Sequence, residues 1–467
     1  MNRRIMILAV LISGAVLNGC SGRGDVVREI GIGLHANNEL KIEVDVATNA
    51  NVRVFAEYWP DSNSSQRYVS TVSNDGLKHA LVLGNILPQT GYSFRVVTES
   101  EGVRNESKVY AFRSRALPMW LQDQFKYSCN QPELLPGSFK EGFMLMNKRE
   151  APGLLYIVDT KGRLRWYHMV DGTGVKVAHF TADRTILSIL GTSAEPTSYG
   201  SEILEVNLLG DTLLHLKKGQ GDLRYTIHHE VIKNTAGDVV TIYEDPHVMD
   251  LRAVGGGKAD TVNGDGILVL DRNGRKVWQW SVFDVCDPFA DHALLKHKKD
   301  WMHANSLSFD VDSNYLVSFY NLGQVWKVDA RSGKVLWKMG KGGTLRMPAT
   351  DNFSQSHAVH INPSGSLMLF DNGVDRNQSG VYAYRIDSVT KAVAVDWHID
   401  LPKEIYNDRM GSAYMIGDSL VLCCCSKRHI TVLVNKKGQI VWTLDTAIPP
   451  YRVEFIPAEK LKPYILH

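Results

Sequence analysis

Three histidines occupy one slot of a pattern repeated through the middle of the chain. His228-His229-Glu230 leads into Val231-Ile232-Lys233-Asn234, with Gly237 eight residues after His229. Ser356-His357-Ala358 leads into Val359-His360-Ile361-Asn362, with Gly365 eight residues after His357. Between them, Trp301-Met302-His303-Ala304-Asn305 leads into Leu307-Ser308-Phe309 and a turn at Ser313-Asn314. Neutral imidazole can act as a metal ligand, a nucleophile, or a proton and hydrogen-bond donor. One such histidine is ordinarily packed or capping a turn. Three in register point to a shared site. Three readings stay open from the residues alone: a group-transfer enzyme, a three-His metal site with one open position, and a noncatalytic surface module that binds a glycan or protein.

What must position these side chains is a second repeat. Its unit is a hydrophobic strand, an Asp or Asn, a turn, and a second strand carrying a large apolar residue. The copies run Tyr156 to Asp159 and Trp166, Leu204 to Asn207 and Leu214, Leu268 to Asp271 and Trp278, Trp326 to Asp329 and Trp337, Tyr384 to Asp387 and Trp397, and Leu433 to Asn435 and Trp442. Their Asp/Asn anchors are 48, 64, 58, 58 and 48 residues apart. A hairpin cannot bury both faces alone, and a period of this size with four short strands per copy fits a propeller. Six copies predict six blades, in an all-β chain. Neither the Trp-Asp nor the double-Gly kelch signature recurs. The first strand of each blade lies nearest the axis, so the three histidines are expected at the channel mouth. His179 is offset from that slot and is expected to pack in the first blade, and Asp245-Pro246-His247 reads as a turn.

Composition narrows the classes. With 44% hydrophobic and 22% charged residues the chain is globular, and 52 Lys+Arg against 50 Asp+Glu give a net charge of +2. Without Arg3 and Arg4 the balance becomes 50 against 50. Nothing in that charge suggests nucleic acid. Arg3-Arg4, the apolar run Ile5 to Leu17 and Leu17-Asn18-Gly19-Cys20 read as a signal ending in a lipobox, with Cys20 as the lipidated residue. Export and membrane anchoring follow, with the protein periplasmic or at the cell surface. Of the remaining cysteines, Cys129 and Cys286 are the one pair proposed as a disulfide, whereas Cys423 to Cys425 read as small buried strand residues. Neighbouring strand residues face opposite ways, so three consecutive thiols cannot share a metal.

The expected organisation is a signal over 1–19, a β-sandwich over 20–115, a linker over 116–150 and a six-bladed propeller over 151–460. Strands are expected at Leu40 to Val46, Val52 to Trp59, His79 to Leu83, Tyr92 to Thr98 and Lys108 to Arg113 in the sandwich. Leu87-Pro88-Gln89-Thr90-Gly91-Tyr92-Ser93-Phe94 resembles the tyrosine-corner segment of fibronectin type III modules. No cluster of catalytic residue types falls there.

Three segments carry a family resemblance: Asp265-Gly266-Ile267-Leu268-Val269-Leu270-Asp271 with Trp278-Gln279-Trp280, Asp300 to Ser306, and Ser356-His357 followed by Leu369-Phe370-Asp371-Asn372-Gly373. They resemble the bacterial arylsulfate sulfotransferase family, in the family's order, over about 150 to 445. The resemblance implies a six-bladed propeller enzyme that moves a sulfuryl group from a phenolic sulfate to a phenol. It implies no phosphoadenosine phosphosulfate and no metal, a sulfohistidine in a ping-pong cycle, and a homodimer. On this resemblance His357 is the nucleophile, His303 and Asn305 hold sulfuryl oxygens and assist proton transfer, and His229 is the remaining sulfuryl-binding histidine. The sequence departs from the family after the His-x-Asn motif: the family's Arg is missing from Ser318-Phe319-Tyr320-Asn321-Leu322. Tyr320 and Asn321 are the candidate donors there, Arg376 is a candidate substitute from another blade, and Ser412 stands near the position of a family polar residue.

Overall fold

The structure is a computed structural model that describes residues 26–34 and 38–461. The expected signal and Cys20 lie outside the described residues. The chain divides into an N-terminal unit and a unit made of most of 124–457.

The repeated Asp or Asn has one physical job in all six copies. Its side-chain oxygen accepts backbone N–H groups two to four residues on, which closes the turn between consecutive strands. Asp159 Oδ1 accepts from Lys161 and Arg163, Asn207 Oδ1 from Leu209 and Asp211, and Asp271 Oδ1 from Asn273 and Arg275. Asp329 holds Arg331 and Ser332, Asp387 holds Val389 and Thr390, and Asn435 holds Lys437 and Gln439 in the same way. The hairpin so formed is the outer half of each blade.

Six antiparallel sheets form the ring. Their inner strands are Glu454–Ile456, Gly174–Phe180, Ile227–Lys233, Ala304–Phe309, Ser356–Ile361 and Ser412–Ile416, each in contact with the next around the axis. The faces between sheets are apolar. Val240, Val269 and Trp280 of the third blade pack with Leu307, Val317 and Trp326 of the fourth. Each such side chain stabilises the ring by about 1.5–3 kcal/mol through area removed from water. Tryptophans also tie blades together: Trp280 Nε1 donates to Gly333 O at 2.9 Å, and Trp442 Nε1 donates to Thr160 O at 2.9 Å.

Closure uses both ends of the propeller. Glu454–Ile456 pairs with Phe143–Lys148 to complete the first blade. Phe125–Cys129 pairs with Ile440–Thr446 as an outer fifth strand of the sixth. Residues 116–150 are therefore not a linker throughout, because two of their segments are blade strands. Neither carries the Asx-turn repeat, which is why the pattern starts only at Tyr156. Cys129 and Cys286 are both free. Cys129 sits on the sixth blade, and Cys286 follows the third blade beside Lys338, so the proposed disulfide is not formed. Cys423 to Cys425 are buried in Leu420–Cys425, as strand residues.

Among the described residues, the N-terminal unit is a seven-stranded antiparallel assembly. Ile42–Pro60 is one strand of 19 residues where two were expected. Its register shifts between Ala47 and Val52, which lets its halves pair with Ser73–Leu83 and Gly91–Ser100. The Tyr92 hydroxyl accepts the Leu87 N–H at 3.0 Å.

Candidate active site

His229 and His357 sit at bulges where inner strands begin, and His303 immediately precedes such a bulge. The register shifts between His228 and Val231, between Ala304 and Ser306, and between His357 and His360. At those bulges His229, His303 and Ala358 have φ of 60°, 55° and 51°. L-residues hold this left-handed conformation only when their surroundings impose it, at a cost of about 1–3 kcal/mol each. The bulge turns the side chain out of the inter-blade core and toward the axis.

The result is one polar cavity of about 690 Å³ at the channel mouth. His229, His303, His357, Tyr199, Tyr320 and Tyr451 line it. The His229 and His303 rings meet edge to face at 4.9 Å. Tyr320 contacts both His303, at 5.3 Å, and His357, at 5.7 Å. Tyr451 contacts both His229, at 6.0 Å, and His357, at 6.4 Å. Phenol rings thus flank the imidazoles instead of leaving them face to face around one point. Among the described residues, no group of three or more His, Cys, Asp or Glu side chains is disposed to hold a metal ion.

His357 is 2% exposed, and its protonation is set by its neighbours. Asn372 uses its amide hydrogens on Asn407 O, at 2.6 Å, and Met410 O, at 3.0 Å. Its Oδ1, 2.7 Å from His357 Nδ1, is therefore an acceptor, and Nδ1 carries the proton. Nε2 keeps its lone pair, which accepts the Met410 N–H at 3.2 Å, and the Asn305 amide nitrogen lies against the ring, 3.2 Å from Nε2 and 3.4 Å from Nδ1. Burial, with the Arg452 guanidinium next in weight, pushes the imidazole down to about 3. It is neutral at physiological pH, with Nε2 unprotonated. His229 is also held neutral, first by burial and then by the neighbouring His303 and His228.

His303 is different. Its Nδ1 lies 2.6 Å from Asp300 Oδ2. Burial opposes a charge on the ring, but Asp300 outweighs it and the imidazole is raised above its usual value. Burial likewise works against the Asp300 carboxylate, which the His303 contact lowers. The cavity therefore pairs a neutral imidazole with one biased toward its cation, an arrangement that separates nucleophile from acid.

Below the mouth, Arg452 binds three inner segments together. It pairs with the buried Glu230 through Nη1 and donates to Asn305 O at 2.7 Å through Nη2. Glu230 also takes His179, whose other nitrogen lies 3.2 Å from Glu454. His179 is thus a channel group on the second blade's inner strand, not a packed residue of the first. Burial alone would lower it, yet the Glu230 carboxylate lifts it to about 10.

Other expected positions move. Tyr320 and Asn321 line the cavity, but Tyr320 donates its hydroxyl to Asp408 O at 2.9 Å and Asn321 its amide to Asp300 O at 2.8 Å. Arg376 is not at the site: it pairs with the buried Asp371 and with Asp375 at 3.3 Å. Ser412 is not there either, since its hydroxyl donates to Val453 O at 2.9 Å, between the sixth and first blades. Asp245-Pro246-His247 is no turn but part of Val239–Met249, with His247 stacked on Phe283 at 4.0 Å.

The sequence reading missed Arg149, Tyr199, Tyr451, Asp300, Asn372 and the Glu230–Arg452 pair. Asp300, three residues before His303, carried a local signal. Arg149 and Tyr451 carried none, because the double closure brings them to the mouth.

The six-sheet ring and its imidazole-lined mouth define a class: an all-β six-bladed propeller with one polar cavity on its axis. Within that class, the chain belongs to the arylsulfotransferase (ASST) family, which it matches over residues 130–430. Family membership supports aryl sulfotransferase activity with phenolic donors and acceptors. No match was found among curated proteins. Similar solved structures include a protein of unknown function from Bacteroides caccae, at 11% identity and TM-score 0.43, covering 68% of this chain and 98% of that one. A streptogramin B lyase matches at 9% and 0.34, covering 69% and 98%. The virginiamycin B lyase of Staphylococcus aureus matches at 9% and 0.31, covering 69% and 98%. None of these scores carries an argument about this site.

Proposed function

We propose that the protein transfers the sulfuryl group of an aryl sulfate to a phenolic acceptor in two half-reactions, through a sulfohistidine at His357. The observation that carries this reading is the state of His357, neutral with its Nδ1 proton fixed by Asn372 and its Nε2 unprotonated in the cavity, where it accepts the Met410 N–H. In the first half, Nε2 forms a bond to sulfur while the bond from sulfur to the phenolic oxygen breaks. His303, charged through Asp300, gives its proton to the departing oxygen. The Met410 N–H, the Asn305 amide and His229 receive the sulfuryl oxygens as charge develops there. In the second half an incoming phenol gives its proton to the now neutral His303 and takes the sulfuryl group. Transfer of this kind needs positioned donors more than covalent assistance, as in phosphoryl transfer. We also propose export and lipid anchoring through Cys20, tested by loss of membrane fractionation in Cys20→Ala.

Turnover of a chromogenic phenyl sulfate with a phenol acceptor, using metal-stripped protein beside His357→Ala, tests the activity. Turnover that survives chelation and vanishes in the variant supports the reading. Activity that needs a restored divalent ion would favour metal chemistry, and silence under every condition would favour a binding module.

A further inference from the structure

Three of the described arginines lie at the mouth or just below it, and two are committed. Arg452 is spent on Glu230 and the Asn305 carbonyl. Arg409 lies 3.5 Å from Asp408 and is largely exposed. Arg149 is the exception. It lines the cavity, is 8% exposed, and makes no ion pair to a carboxylate among the described residues. Its Nη1 lies 3.0 Å from the Met410 sulfur, a weak acceptor, and its buried Nε has no hydrogen-bond partner among the described residues. Burial pushes the guanidinium down from its usual value. Yet arginine stays protonated in proteins. A desolvated cation without a counter-charge is destabilising, and a fold keeps one where a bound group offsets that cost.

The same residue is held in place. The Arg149 carbonyl packs directly against Gly174 at the start of the next blade, where any Cβ would collide with it. Met410 links it to the nucleophile, since the Met410 N–H faces His357 Nε2 at 3.2 Å. The stretch 318–322 offers the mouth no charged side chain.

We infer that Arg149 is the anion-binding residue of the cavity, receiving the sulfo group of an aryl sulfate or of the sulfohistidine from the first blade. The inference rests on the proposed sulfuryl transfer and names the charge that transfer requires. A planar guanidinium can grip two oxygens of a tetrahedral oxyanion at once through its paired Nη groups, and Nη1 gives up only the weak Met410 sulfur contact to do so.

The test compares wild type, Arg149→Met and Arg149→Lys in two assays. In the first, thermal shift is read with benzenesulfonate, whose carbon–sulfur bond cannot transfer, and with inorganic sulfate and inorganic phosphate, all at equal ionic strength. Wild type should be stabilised by benzenesulfonate and sulfate, Arg149→Met by neither, and Arg149→Lys partly. Unliganded Arg149→Met should melt at or above wild type, because an unpaired buried charge has gone. In the second, kcat/KM for phenyl sulfate should fall about 10²–10³-fold in Arg149→Met and less in Arg149→Lys. Undiminished sulfonate binding in Arg149→Met overturns the inference, and so does a response to phosphate alone, which would mark a phosphate site. Undiminished turnover in Arg149→Met overturns it while leaving the sulfotransfer reading intact. Arg149-dependent sulfonate binding in a wild type that turns over no aryl sulfate sustains the anion site and defeats the transfer reading instead.

Discussion

Asn372 Oδ1 stands 2.7 Å from His357 Nδ1, and both Asn372 amide hydrogens are taken by backbone carbonyls of the 407–410 loop. The amide therefore cannot turn over, and it fixes which nitrogen of His357 is unprotonated. Substituting Asn372→Leu removes the acceptor and releases the tautomer. Turnover of phenyl sulfate should drop about 10²-fold or more, as wrong-tautomer effects elsewhere reach about 10⁴. Wild-type KM alongside the lower kcat, with the ring nitrogen resonances exchanged, is the expected result. An unchanged kcat would mean that Asn372 does not set the tautomer.

His303 predicts the alkaline side of the pH profile. Its pKa is raised by Asp300, so its acid form persists above the ordinary histidine range and kcat/KM should fall only as pH passes that raised value. Asp300→Asn should move this limb to lower pH and cost about 10²–10⁴-fold in rate at alkaline pH. The same pair stabilises the fold fully below the unfolded value of 6.5, and that contribution is lost as pH rises through the folded one. A limb that stays in place in Asp300→Asn would remove His303 as the titrating acid.

His357 acts with the opposite sign. The unfolded side chain takes up a proton near 6.5, but the native one does not until about 3. Between those values the unfolded state binds more protons, so stability rises with pH across that window and falls on acidification. His357→Gln lacks this term. The melting temperature of wild type minus that of the variant should narrow by a few degrees between pH 7 and pH 4. A constant difference would show that His357 is not buried neutral.

Glu230→Gln is expected to be severe. It leaves Arg452 without its carboxylate and takes from His179 the anion that raises it. Breaking one side of such a buried pair costs about 3–5 kcal/mol. Activity should also fall, since Arg452 holds the Asn305 carbonyl at 2.7 Å. Chemical denaturation measures the first effect, and kcat at a temperature where the variant is folded measures the second.

Trp442→Ala tests closure. The ring is buried, packs edge to face on Phe139 at 5.2 Å and donates across blades to Thr160. Losing it should cost about 3–5 kcal/mol by cavity formation. Trp278 is only partly buried, so Trp278→Ala, which touches one inter-blade contact away from the ends, should cost less. Equal losses would mean that the Trp442 ring contributes no more at the sixth-to-first junction than an ordinary inter-blade tryptophan.

Much of this molecule was written in local sequence. The Asx turns at Asp159, Asn207, Asp271, Asp329, Asp387 and Asn435 depend on a side chain reaching its own backbone a few residues away. Six blades could therefore be counted without coordinates, and the His229, His303 and His357 slots could be aligned. Tertiary structure decided what local spacing does not encode. It closed the ring with Phe125–Cys129 and Glu454–Ile456, segments that lack the repeat because they complete a sheet begun by distant strands. It took Arg376 and Ser412 away from the cavity, since Asp371 and Val453 offered them nearer partners. It also brought Arg149 and Tyr451 to the mouth from opposite ends of the propeller. Hydrogen bonds within a turn are settled over four residues. A charge at the axis is placed by closure over three hundred.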